Sequence, residues 1–163
     1  MPVRVAVDTN VLLSGILWPR WPYEVLQHAL RGEIELVLPE AVLREAHRHI
    51  ERDFPESSGT FVRTLSTIDF ELAPMPDADA VHAAAGLVRQ AEDIPIALSV
   101  IGARVDFFVT YDRDFTDDHP STARVQAAIP GICLPPIFLR DVMGWTSEQL
   151  EAVRQRTWAD LGE

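Results

Sequence analysis

The chain has no lysine: all fourteen of its basic residues are arginine. It has one asparagine, Asn10, and one cysteine, Cys133. The missing lysine speaks against a phosphatase or receiver domain with a reactive aspartate, because such sites typically place a lysine beside the phosphoryl group. A lone cysteine cannot close an internal disulfide, which fits a reducing compartment. No stretch reaches the roughly 18 apolar residues that a membrane span needs. Asp8 breaks any signal-peptide core after Arg4. Repeats, low-complexity tracts and domain-dividing linkers are absent too. The expectation is one cytoplasmic domain over residues 1–163 with no membrane contact, in which 135–163 is a C-terminal helical segment.

Composition is otherwise ordinary for a globular protein, at 47% apolar and 24% charged residues. The formal charge of −11 argues against a sequence-independent nucleic-acid coat, since phosphate binding wants a basic face. It leaves room for a nuclease, because metal ions bring positive charge to an acidic site and arginines can cluster locally. It also suits a basic protein partner.

Val3–Val7 reads as a central strand, Val11–Leu17 and Tyr23–Leu30 as helices, and Ile34–Leu38 as a second strand. Pro39 opens a helix to about Asp53, Phe54–Gly59 is a loop, and Thr60–Ile68 is another helix. Phe70–Leu72 is at best a short strand. Asp77 caps a helix from Ala78 to Gln90, and Ala91–Arg104 is a further helix with Asp93 in its first turn. The strand Phe107–Val109 leads into a polar turn, Tyr111–Asp118. Ile132–Leu134 is an edge strand and Pro136–Met143 a short helix. Thr146–Trp158 is a final helix with a Thr146…Gln149 capping box. Strands alternating with helices imply an α/β fold. Its central, mainly parallel sheet is covered by helices on both faces, in three α/β/α layers.

The run Val5-Ala6-Val7-Asp8-Thr9-Asn10 hands a strand abruptly to a helix. Asp8 then sits at the carboxyl edge of the sheet, where ligands bind in open α/β folds. Asp112 follows the Phe107 strand in the same manner. If those strands are neighbours, both acids share one crevice, and Asp93 and Glu45 reach it from adjoining helices. Four carboxylates in one cleft repel, and some stay protonated unless cations compensate. Hard divalent ions do so through oxygen ligands, and the chemistry they suggest is phosphodiester hydrolysis. Each acid also has a plainer reading. Asp8 can be a helix cap, Glu45 a solvated residue, and Asp93 a residue placed by the helix dipole, with Glu92 its rival.

Four segments in order carry a family resemblance: Val7-Asp8-Thr9-Asn10-Val11-Leu12, Pro39-Glu40-Ala41-Val42-Leu43-Arg44-Glu45, Asp93-Ile94-Pro95-Ile96-Ala97-Leu98, and Val109-Thr110-Tyr111-Asp112-Arg113-Asp114-Phe115. Together they resemble the PIN-domain nucleases, which include the VapC-type toxins of toxin–antitoxin pairs. Pro135-Pro136-Ile137-Phe138-Leu139 is similar to the closing segment of one PIN subgroup. The resemblance implies a PIN-like fold and a ribonuclease dependent on Mg2+ or Mn2+. Asp8, Glu45, Asp93 and Asp112 would be its catalytic acids and metal ligands. Asp114 resembles the accessory acid of some members, and Asn10 and Thr110 would orient the quartet by hydrogen bonds. An RNA substrate, an antitoxin partner and pairing into a homodimer are implied as well. Members often have glycine where this chain has Tyr111, and a side chain there would narrow the site or touch a base.

Arg44, Arg48 and Arg52 fall at i, i+4, i+8 and form one stripe beside Glu45. They read either as a phosphate track, with Arg44 and Arg48 nearest the acids, or as partners of Glu40 and Glu56. His47 and His49 point to different sides of a helix and make a poor metal pair. His28, His82 and His119 have no evident partner. Trp18 and Trp21 flank Pro19, where they cover the core edge or meet a partner. The rival to a nuclease is a PIN fold kept as a binding or scaffold module. The charge of −11 and Tyr111 favour it, and four mutually repelling acids oppose it.

Overall fold

The computed structural model describes residues 2–163. Strand β1 (Val3–Val7) has Val5, Ala6 and Val7 fully buried, as a strand covered on both faces must be. It pairs in parallel with β2 (Ile34–Pro39) on one side and with β4 (Phe107–Val109) on the other. β3 (Phe70–Ala73) and β5 (Ile132–Cys133) add the edges, so the order is β3-β2-β1-β4-β5. Every pairing among the described residues is parallel. The expected α/β/α architecture is present, with β1 central and β5 at an edge as anticipated.

Helix α1 (Thr9–Leu17) follows β1 with a single intervening residue, Asp8, and packs against α2 (Trp21–Leu30). Gly15 makes that approach possible: a Cβ there would lie 2.5 Å from Leu26 Cδ1 and 3.1 Å from the Pro22 carbonyl oxygen. Helix α3 (Glu40–Asp53) buries Val42, Ala46 and Ile50 at helical spacing and turns its charged face outward. Helix α4 (Ser58–Thr67) starts two residues earlier than expected, after a single 3-10 turn at Pro55–Ser57 inside the expected loop.

Four other elements depart from expectation. Helix α5 (Ala78–Ala83) is shorter than expected, and the chain then turns through Gly86 at φ +84°, a conformation that glycine adopts without strain. The next helix divides into a 3-10 turn, Ala91–Asp93, and α6 (Ile94–Gly102), with Pro95 near its start where no N–H is needed. The polar turn after β4 contains a short helix, α7 (Arg113–Thr116), followed by the unanticipated α8 (Ala123–Ala128). After α9 (Pro135–Asp141), helix α10 spans only Ser147–Val153; its capping box forms as read, and a 3-10 turn follows at Trp158–Leu161.

The segment after β5 is fastened by part-buried hydrogen bonds. Trp145 Nε1–H donates to His28 Nε2 (3.0 Å), and His28 Nδ1 meets Glu33 (3.0 Å). His28 is thus a buried, fully partnered residue on α2. Trp21 and Trp158 donate to the carbonyls of Leu150 and Leu17, both at 2.9 Å. Trp21 therefore covers the core edge, while Trp18 stays exposed against Phe54. No helix among the described residues is long and apolar enough to cross a membrane.

Candidate active site

Val7 lies opposite Val109 in the sheet, so β1 and β4 release their next residues at the same edge. Asp8 follows one strand, and Thr110 and Asp112 follow the other. The Asp8 carboxylate is buried and held at both oxygens: Oδ1 accepts from Thr9 N–H (2.8 Å), and Oδ2 accepts from the Thr110 hydroxyl (2.7 Å). The first bond is the helix cap of the plainer reading, and it occupies one oxygen only. Thr110 Oγ1 also accepts from Asp112 N–H (2.9 Å), so one hydroxyl ties the two acids together. Asp112 Oδ1 in turn caps α7 through Asp114 N–H (2.8 Å).

Asp93 arrives from the other side, at the start of α6, where its side chain makes no cap bond. Asp93, Asp112 and Asp114 each offer one oxygen, and these oxygens all lie within 4.8 Å of one another. Asp8 and Glu45 stand outside that tight group. Glu45 is linked to the β1 edge through Thr9, whose hydroxyl donates to Glu45 Oε2 (3.3 Å). Glu45, Arg48, Gln90, Glu92, Asp93, Asp112 and Asp114 line a cleft of about 600 Å³.

The crowding of acids shows in their ionisation. Burial, aided by the Asp112 charge and hydrogen bonding to Asp114, pushes the Asp93 carboxyl up to about 8. Burial also raises Asp8 to about 6, against the downward pull of its Thr110 and Thr9 hydrogen bonds. An all-carboxylate donor set with ionisation suppressed in this way fits a hard divalent cation, which takes oxygen ligands. The single cysteine, Cys133, is not among the residues lining this cleft, and burial raises its thiol to about 11.

The supporting residues divide. Thr110 is hydrogen-bonded to both Asp8 and Asp112. Asn10 is exposed, and the bonds that fix Asp8 come from Thr9 and Thr110 instead of its amide. Arg48 lines the cleft, whereas Arg44 pairs with Glu40 (3.3 Å) and faces a neighbouring groove. Arg52 pairs with Asp53, the last residue of α3, and not with Glu56. Tyr111 is half-exposed and is not among the side chains lining the acidic cleft. One participant had no sequence signal. Arg89 Nε meets Asp114 Oδ1 at 2.9 Å from the irregular segment after α5.

The fold and the acid-lined sheet edge define an α/β protein with a carboxylate site where strands hand over to helices. Residues 4–114 match the family model of the PIN domain, and the chain belongs to that family. PAE2754 from Pyrobaculum aerophilum shares the fold at 17% identity with a TM-score of 0.55, over 85% of this chain and 88% of that one. A chain of VapBC2 from Rickettsia felis, crystallised bound to a DNA fragment from their promoter, aligns at 16% identity with a TM-score of 0.53, over 72% of this chain and 94% of its own. No curated protein is significantly similar to the chain.

Proposed function

We propose that this PIN domain is a Mg2+- or Mn2+-dependent endoribonuclease, acting as the toxin of a toxin–antitoxin pair. The observation that carries the reading is the convergence of Asp93, Asp112 and Asp114 within 4.8 Å beside the buried Asp8. Asp8, Glu45, Asp93 and Asp112 would hold the cation, with Asp114 adjoining. When bound, a divalent cation activates water toward phosphorus and stabilises charge on the phosphate oxygens. The protein's own residues do the positioning. Thr110 and Thr9 fix the Asp8 carboxylate, and Asp112 is set by its bonds to Thr110 and to the start of α7. Arg48, exposed at the cleft rim, supplies a contact for a substrate phosphate. Single-stranded or looped RNA is the favoured substrate, because unpaired segments are what proteins read most readily in RNA.

Membership of a family made up largely of nucleases supports the activity. The resemblance to VapC-type toxins and the fold shared with a VapBC2 chain support an antitoxin as partner. The test is cleavage of a structured RNA with Mn2+ by the wild type and by Asp8→Asn. Loss of cleavage in the variant is expected, and equal activity overturns the assignment.

A further inference from the structure

Among the described residues, Arg89 is the one guanidinium paired with the tight acid group. It comes from the segment between α5 and Asp93, and it makes three contacts on and around α7. Its Nε meets Asp114 Oδ1 (2.9 Å), and its Nη2 donates to the Arg113 carbonyl oxygen (2.7 Å) and to Asp117 Oδ2 (3.1 Å). Asp114 is buried, whereas the Arg89 side chain is partly exposed, so solvent screens the pair from one side only. Asp117 already has Arg113 at 3.0 Å. Asp114 has no cationic partner among the described residues other than Arg89.

We propose that Arg89 is the resident cation of the acidic site. It neutralises Asp114 and leaves Asp93 and Asp112, with Asp8 behind them, to hold a single divalent ion. Three carboxylates this close carry a charge that two divalent ions, or one divalent ion and one arginine, can offset. The chain supplies the arginine. Arg89 also sits four residues before Asp93 and grips the helix that follows Asp112, so it joins the two ligand-bearing segments. It is a positioning residue whose charge sets how many metal ions the site takes. The inference rests on the metal-site reading above.

Titration calorimetry with Mn2+ separates charge from scaffolding. The wild-type protein should take up one equivalent. Arg89→Met keeps much of the side-chain bulk and removes the charge. It should bind Mn2+ on the order of tenfold more tightly, or take a second equivalent, because the repelling cation is gone. Arg89→Lys should match the wild type. The double variant Arg89→Met/Asp114→Asn removes the pair together, and its Mn2+ binding should return to one equivalent of near wild-type affinity; it also serves if Arg89→Met alone fails to fold. A purely structural staple predicts weaker binding in Arg89→Met, and that result, or unchanged binding, overturns the proposal while the metal site stands. Loss of binding in the double variant overturns it as well. A wild-type protein that takes up no Mn2+ overturns this proposal and the metal-site reading together.

Discussion

The Thr110 hydroxyl donates to Asp8 Oδ2 at 2.7 Å across a separation of 102 residues. Thr110 is fully buried, and the same oxygen accepts the Asp112 amide proton. Replacing Thr110 with valine keeps its shape and removes the hydroxyl, which leaves two polar partners unsatisfied in the interior. Thr110→Val should cost about 1–3 kcal/mol in a denaturant melt. It should also lower RNA cleavage roughly 10- to 100-fold through misplaced acids. An unchanged midpoint and rate would show that the bridge is incidental.

Metal-free protein should lose stability as pH rises. Asp93 and Asp8 are raised to about 8 and about 6, so the unfolded chain releases these protons before the folded one does. Their favourable contribution is complete below the ordinary carboxylate range, near pH 4. It is lost as pH climbs through about 6 for Asp8 and about 8 for Asp93. Thermal melts in a chelator should show the wild type falling relative to Asp93→Asn across this window. Adding Mn2+ should raise the wild-type melting temperature at neutral pH and leave Asp93→Asn nearly unmoved. A scaffold module without a metal site would show no Mn2+ effect in either protein.

Arg48 is exposed on α3, so its replacement should leave folding intact. Arg48→Ala should raise KM for RNA with little change in kcat. It should also reduce the slope of log affinity against log salt by about one, as expected for a lost phosphate contact. An unchanged salt slope would remove Arg48 from the substrate path.

Trp145→Phe tests the fastening of the C-terminal segment. The indole N–H is the donor to His28 Nε2, and the buried imidazole has no replacement for it. A loss of about 1–2 kcal/mol is expected by thermal or denaturant unfolding, with nuclease activity at permissive temperature intact. A neutral substitution would mean that apolar packing alone holds the segment.

Asp8 and Asp112 were legible because a strand exit is a local pattern: apolar residues, then an acid, then helix. The adjacency of β1 and β4 follows once both strands carry acids for one crevice. Arg89 was not legible. Its partners lie up to 28 positions away, and they meet only because the chain leaves its helical path after Ala83 and turns at Gly86. A run of alanine and valine suggests a longer helix than the turn allows. His28 was opaque for a similar reason, since Trp145 reaches it from a segment 117 residues later. Asn10 shows the opposite error. Being the only asparagine drew attention to it, while the common residue Thr9 makes the hydrogen bonds.

Parallel pairing of β1 with β4 has a consequence for synthesis. Asp8 emerges from the ribosome early, but its hydroxyl partner and the acids beyond it come about a hundred residues later. Non-local strand pairs form only when both members exist. A nascent chain that stops short of β4 therefore carries Asp8, Glu45 and Asp93 without a site. Under the proposed ribonuclease activity, the machinery translating the chain is spared until the last acids have been made.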